Sequence, residues 1–132
     1  MEDIRGYCID SDILIDYLRG IEYARVFLSD TGVQSTLFIS TVSVVELYAG
    51  KETRNQEKRE RLELFLGNFE IIPLNGIIAR TAGALRRDYQ KPFADMIIAA
   101  SAIEYKLYLA TRNIKHFQLL EKGTGLKLVK PY

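Results

Sequence analysis

Asp10, Glu46 and Asp95 are the residues of this 132-residue chain whose types and surroundings point most directly to chemistry. Each interrupts an apolar stretch. Asp10 follows Tyr7-Cys8-Ile9, Glu46 lies within Ser43-Val44-Val45-Glu46-Leu47-Tyr48-Ala49, and Asp95 precedes Met96-Ile97-Ile98-Ala99-Ala100. A lone buried carboxylate is costly unless it is hydrogen-bonded or binds a cation. Three carboxylates beyond one sheet edge repel one another, and a divalent metal ion relieves that repulsion. Oxygen ligands suit Mg²⁺ or Mn²⁺ better than Zn²⁺, and a chain with one Cys and one His argues further against zinc. Each acid also has a plainer reading. Asp10-Ser11-Asp12 can cap the helix that follows. Ser43-x-x-Glu46 fits a capping box. Asp95 can face the positive end of a helix dipole, which also favours the ionised form a metal needs.

These residues must be brought together by the elements around them. Tyr7-Cys8-Ile9 reads as a strand ending at Asp10, and Ser11 to Leu18 as a helix ended by Gly20. Ile21 to Ser29 is a second helix, stopped by Gly32. Leu37 to Ser40 is the second strand, and Val44 to Ala49 is helical. Asn55 to Leu66 is a charged helix with Leu62, Phe65 and Leu66 as its apolar stripe. Phe69 to Leu74 is the third strand, with Pro73 marking its end. Ile77 to Tyr89 and Asp95 to Tyr105 are helices separated by Pro92, the second apolar enough to be buried. Leu107 to Ala110 is a strand, Ile114 to Leu120 a short helix, and Leu126 to Val129 an alternating strand expected at a sheet edge. Strands separated by helices predict an α/β fold: a mostly parallel central sheet with helices on both faces. Ligands in such sheets bind beyond the carboxyl ends of the strands. Asp10, the Ser40 to Glu46 segment and the Thr111 to His116 segment all fall there.

The length fits a single domain spanning 1–132, long enough to bury a core without cross-links. Cys8 is the sole cysteine, so no internal disulfide forms, and a reduced cytoplasmic setting is expected. No signal-peptide pattern and no apolar run of membrane-spanning length is visible. The formal net charge is +1, so any nucleic-acid contact must be local rather than a general basic surface. Lys51 to Arg61 is the densest basic run and reads as a solvated helix face. Arg80, Arg86, Arg87 and Lys91 lead into the Asp95 segment and are candidates to face phosphate.

The order and spacing of three segments carry a resemblance across nearly the whole chain. They are Ile9-Asp10-Ser11-Asp12-Ile13-Leu14-Ile15-Asp16, Ser43-Val44-Val45-Glu46-Leu47, and Asp95-Met96-Ile97-Ile98-Ala99-Ala100 followed by Leu109-Ala110-Thr111-Arg112-Asn113-Ile114-Lys115-His116-Phe117. Together they resemble the PIN-domain family, specifically the VapC-type toxins of prokaryotic toxin–antitoxin pairs. The resemblance implies a PIN-like α/β/α sandwich and a Mg²⁺- or Mn²⁺-dependent ribonuclease. Asp10, Glu46 and Asp95 match the family's first three acidic positions, with Asp10 and Asp95 as metal ligands. The family often has a fourth acidic residue where this chain has His116. That residue is expected to bind metal, to orient water or to be structural. Asn113 either binds a metal-bound water or caps the next helix. Ser11 and Thr111 are expected to hydrogen-bond the carboxylates. Asp12 is often Asn in relatives, and Asp16 is expected to be structural or to partner a basic side chain.

Arg86, Arg87, Lys91 and Arg112 are the candidates for RNA phosphate contact. The resemblance also implies a cognate antitoxin, a homodimer, and transfer or ribosomal RNA as substrate, with no membrane involvement. The helices over Ser11 to Leu18, Ile21 to Ser29 and Asn55 to Leu66 carry Ile15, Tyr17, Leu18, Tyr23, Phe27, Leu62, Phe65 and Leu66, an apolar surface that an amphipathic helix could use. The alternative is a catalytically impaired module that binds antitoxin or RNA without cleavage, favoured only by His116. A phosphatase or phospho-acceptor using Asp10-x-Asp12 is a third reading. A receiver-like domain, however, needs an acid after its third strand, where this chain runs Ile71-Ile72-Pro73-Leu74-Asn75.

Overall fold

The computed structural model describes residues 6–132. Their five strands form one sheet in the order β3-β2-β1-β4-β5, and every pairing is parallel. The strands are β1 (Gly6–Ile9), β2 (Thr36–Ser40), β3 (Glu70–Ile72), β4 (Tyr108–Ala110) and β5 (Lys127–Val129). The helices are α1 (Ser11–Leu18), α2 (Glu22–Gln34), α3 (Thr41–Tyr48), α4 (Gln56–Leu66), α5 (Gly76–Tyr89), α6 (Phe93–Tyr105) and α7 (Ile114–Thr124), with a 3₁₀ turn over Lys51–Arg54. As expected from its alternation, β5 lies at an edge, paired only with β4.

Alternate strand residues feed two separate cores, as a sheet covered on both faces requires. Ile9, Leu37, Ile39 and Ala110 pack with Ile13, Leu14, Leu28, Leu62 and Phe65. Their neighbours Cys8 and Leu109 point the other way, against Ile78, Leu85, Met96, Ile98 and Phe117. The apolar sequence of α6 is explained by this second layer, where Ala99, Ala100 and Ala102 are fully buried.

Several boundaries differ from the sequence expectation by a residue or more, and three of the differences have a clear physical reading. The second helix does not stop at Gly32 but continues to Gln34. A β-carbon at Gly32 would sit 3.3 Å from the Leu37 side chain, so the glycine serves close packing of helix on strand rather than termination. The third helix begins at Thr41, not Val44. Its N-cap is Ser40, whose hydroxyl accepts from the Val42 amide at 3.2 Å. Ser43 therefore lies inside the helix and the Ser43-x-x-Glu46 capping box does not form. The last helix runs on past Leu120 to Thr124, ending at Gly125 with φ of +78°.

The site depends on how β1 and β4 meet. From β1 the chain builds outward through β2 to β3, then returns to lay β4 on the other side of β1. This reversal opens a crevice at the carboxyl ends of β1 and β4, the place where open parallel sheets bind ligands. The register Ile9↔Ala110 puts the next residues, Asp10 and Thr111, side by side at its floor. Phe117, fully buried, fixes α7 over this end. Phe117→Ala should cost about 3–5 kcal/mol of unfolding free energy. Urea denaturation checks this, and a change below about 1 kcal/mol would contradict the anchoring role.

Candidate active site

Asp10 is the centre of the site. It caps α1, accepting from the Ser11 amide on Oδ1 at 2.8 Å. Its Oδ2 accepts from the Thr111 hydroxyl at 2.7 Å. Only 7% of the residue is exposed. The capping role read from sequence is thus real and coexists with the site role. Burial pushes the Asp10 carboxyl up to about 7. Asp12 and Asp95 add like-charge repulsion, and the bonds from Thr111 and Ser11 act against the rise. Asp12 is raised too, chiefly by burial.

Asp95 lies in the first turn of α6, near the helix's positive end. Its Oδ2 is 2.8 Å from His116 Nδ1. His116 lies in the first turn of α7, so this contact joins the starts of two helices. Glu46 is placed differently from the sequence expectation. It is exposed, because α3 turns Ser43 and Leu47 inward and leaves Glu46 on the rim. Its Oε1 accepts from the Ser11 hydroxyl at 2.7 Å, and that hydroxyl is 2.8 Å from the Ser43 hydroxyl. A hydroxyl has one proton to give. With Ser11 donating to Glu46, Ser43 is the donor to Ser11. Ser43 is therefore a site partner that the capping-box reading obscured.

The segment after β4 supplies the remaining contacts. Thr111 Oγ1 donates to Asp10 and accepts from the Asn113 amide at 2.9 Å. Asn113 occupies the N-cap position of α7 without a capping bond from its side chain. The Arg112 amide donates to Asp12 Oδ2 at 3.1 Å. Its guanidinium donates to Asp16 Oδ2 at 2.8 Å, which makes Asp16 the partner of a basic side chain as expected. Tyr132 adds a second donor to the same oxygen at 2.6 Å, its hydroxyl kept protonated by burial and by Asp16. The Arg112 guanidinium also lies 5.7 Å from the Tyr132 ring centre. A contact between residues 16 and 132 leaves no local pattern in sequence, so nothing there announced it.

The other basic candidates differ in how free they are. Arg87 is engaged by its neighbour Asp88 at 2.8 Å on the open surface. The Arg86 guanidinium lies 4.9 Å from the Phe93 ring centre, beside the start of α6. Lys91 is partly buried in the turn between α5 and α6. The Lys51 to Arg61 run is the solvated surface expected: Arg61 pairs with Glu57, one turn away, at 2.6 Å.

Do these residues suit a divalent ion? Among the described residues, no three His, Cys, Asp or Glu side chains converge into a ready-made cage. The Asp95 charge nevertheless lies close enough to oppose ionisation of Asp10, and both carboxylates retain free lone pairs. Mg²⁺ characteristically binds through one or two carboxylates and keeps several waters. The pair fits that demand. Cys8 does not belong to the set: it is fully buried and its thiol is pushed up by burial, an inert core side chain.

Two hollows of the described surface bear on the site. The larger, about 830 Å³, sits at the opposite, amino end of β2 and β3, beside Thr36 and Glu70, away from the carboxylates. The smaller, about 420 Å³, runs between α1 and α4 and reaches Glu46, lined by Ile15, Leu18, Leu47 and Leu62 with Arg19, Lys58 and Arg61 at its edges. Of the apolar residues expected to form a docking surface, Leu62, Phe65 and Leu66 are core, whereas Leu18 and Tyr23 are exposed. No helix among the described residues is long and apolar enough to cross a membrane.

Comparison with known proteins places this arrangement. Residues 7–122 match the PIN domain family. Ribonuclease VapC10 of Mycobacterium tuberculosis is 40% identical over 119 residues, covering 86% of this chain and 87% of that protein. Ribonuclease VapC1 of Methanocaldococcus jannaschii is 31% identical over 125 residues, covering 91% and 84%. A toxin–antitoxin complex from Klebsiella pneumoniae superposes with a TM-score of 0.82 at 30% identity, covering 96% of this chain and 98% of that one. The sandwich, the acidic crevice between β1 and β4, and these relatives agree: the chain belongs to the PIN-domain family, and within it to the VapC-type ribonuclease toxins of toxin–antitoxin pairs.

Proposed function

We propose that this protein hydrolyses RNA phosphodiester bonds in the β1–β4 crevice, with Mg²⁺ or Mn²⁺ held by Asp10 and Asp95. The observation that carries the reading is the Asp10 carboxylate, buried, pushed up to about 7, and within reach of the Asp12 and Asp95 charges. A buried acid among acids calls for a cation. When bound, the ion lowers the pKa of a coordinated water and offsets charge that builds on the phosphoryl oxygens. The protein's own part is positional. Thr111 and the Ser11 amide hold Asp10, His116 holds Asp95, and the Ser43–Ser11 pair holds Glu46 at the rim, where it can orient an attacking water. Asn113, whose amide donates to Thr111 Oγ1, is the further candidate to hold a water in the crevice.

RNA would be gripped through its phosphates rather than its bases. Arg86 lies against Phe93 at the start of α6, Lys91 sits in the turn before it, Arg87 is on the open surface beside Asp88, and the Arg112 side chain is half exposed beyond Asp16. We place the protein in the cytoplasm, with a transfer or ribosomal RNA as target. The intact trio of Asp10, Glu46 and Asp95 gives no support to the non-cleaving alternative.

A toxin of this kind needs a neutralising partner. The groove between α1 and α4 is lined by apolar Ile15, Leu18, Leu47 and Leu62, carries Arg19, Lys58 and Arg61 alongside Glu52, and reaches Glu46. An amphipathic antitoxin helix fits that description, and a basic side chain at its end would meet the carboxylates. The protein is proposed to act as a homodimer. Co-purification with the product of the adjacent gene and light scattering test both points. A monomer at micromolar concentration with no neighbour-encoded binder would count against them.

Cleavage should require Mg²⁺ or Mn²⁺, stop in excess chelator, and not be restored by Zn²⁺. Asp10→Asn and Asp95→Asn should each fall to the chelator background while keeping the circular dichroism of the wild type. Wild-type rates from either variant at matched Mg²⁺, or full cleavage in chelator, would sink the metal mechanism.

A further inference from the structure

His116 is the one histidine of the chain, and it stands in the first turn of α7 beside Asp95. Its placement is specific. Nδ1 lies 2.8 Å from Asp95 Oδ2, the two side chains are 39% and 23% exposed, and the ring packs at 76° against Phe117, which is fully buried. The backbone adds a further constraint, since the His116 amide donates to the Asn113 carbonyl at 3.1 Å. Two side chains of one segment thus reach the two central acids. Thr111 donates to Asp10 and His116 meets Asp95.

We propose that His116 is a positioning residue: its Nδ1–H donates to Asp95 Oδ2 and so fixes the orientation in which Asp95 would offer its other oxygen to a cation, without His116 itself becoming a ligand. The inference rests on the Asp10–Asp95 metal reading above and adds who orients Asp95. Carboxylates that ligate metals are themselves commonly held by hydrogen bonds from an outer partner. A fourth carboxylate at this position would instead add charge to a crevice where Asp10 already feels Asp12 and Asp95. A neutral ring donating through Nδ1 supplies the hydrogen bond without that charge. It also leaves only a lone pair on Nε2, which fixes the tautomer.

Because the chain has one histidine, its ring nitrogens can be read without assignment. Tag-free protein labelled with ¹⁵N-histidine should show, at pH 8 without metal, a protonated Nδ1 and an unprotonated Nε2. Asp95→Ala should lose that preference. Mg²⁺ should leave the Nε2 signal in place. An Nε2–H tautomer in the wild type, or a large Mg²⁺-induced shift at Nε2, would overturn the proposal. Variants give a second reading through Mn²⁺ affinity measured without RNA. An asparagine amide reaches the place of Nδ1, whereas a glutamine amide reaches that of Nε2. His116→Ala should weaken Mn²⁺ about 10- to 100-fold, as loss of an outer partner does. His116→Asn should recover most of it and His116→Gln should not. Recovery by Gln alone would mark His116 as a ligand, and equal affinities in all variants would mark it as a bystander. Wild-type Mn²⁺ binding and RNA cleavage are judged separately, so failure here leaves the metal reading standing.

Discussion

The structure turns on one costly placement: a carboxylate buried at the reversal point of a parallel sheet, with other acids beside it. Asp10 is almost excluded from water, and its charge is opposed first by burial and then by Asp12 and Asp95. The fold gives back only part of that cost, through one amide and one hydroxyl. A site that holds an acid in this condition favours either a proton or a cation. In water near neutrality the two compete, and on that competition rests the proposal that the crevice takes a cation rather than serving as an inert cap.

The rest of the architecture serves this placement from two directions. Below, β1 and β4 are locked in register, and the two cores on either face of the sheet fix the height of their carboxyl ends. Above, the segment after β4 reaches back across the crevice. Thr111 meets Asp10, the Arg112 amide meets Asp12, the Arg112 side chain meets Asp16, and His116 meets Asp95. Four consecutive contacts from one short segment give every acid near the floor a defined partner. Tyr132 closes the arrangement on the outer side by holding Asp16 and lying over Arg112. These bonds hold the acids in place, while Asp12 Oδ1 stays buried without a partner among the described residues.

Much of this was legible in the sequence because its signals are local. The strand–helix alternation, the acids placed directly after strands, and the apolar α6 all follow from short-range patterning, and the order of the motifs carried the family. Local signals also misled. Gly32 reads as a stop, but only the packing of Leu37 against α2 explains a glycine inside a helix. Ser43-x-x-Glu46 reads as a capping box, but Ser40 takes the cap, and Ser43 turns inward to Ser11. Glu46 reads as buried among its apolar neighbours, but α3 packs with Ser43 and Leu47 inward, which leaves Glu46 on the exposed side. Contacts such as Asp16 with Tyr132 join distant positions, and no spacing rule in one sequence encodes them.

The most direct measurement is thermal stability of the wild type and Asp10→Asn across pH 4 to 9, with and without Mg²⁺. The folded Asp10 carboxyl sits near 7 against 3.8 unfolded, so the folded state binds the extra proton between those values. Wild-type stability without metal should therefore fall as pH rises through that window, a loss on the order of 4 kcal/mol at most. Asp10→Asn, which has no charge to bury, should be the more stable protein at pH 8, and the two should converge toward pH 4. Mg²⁺ should restore the wild type at pH 8 and leave the variant unmoved. A wild type and variant that share one pH profile and respond equally to Mg²⁺ would contradict the placement of the cation at Asp10.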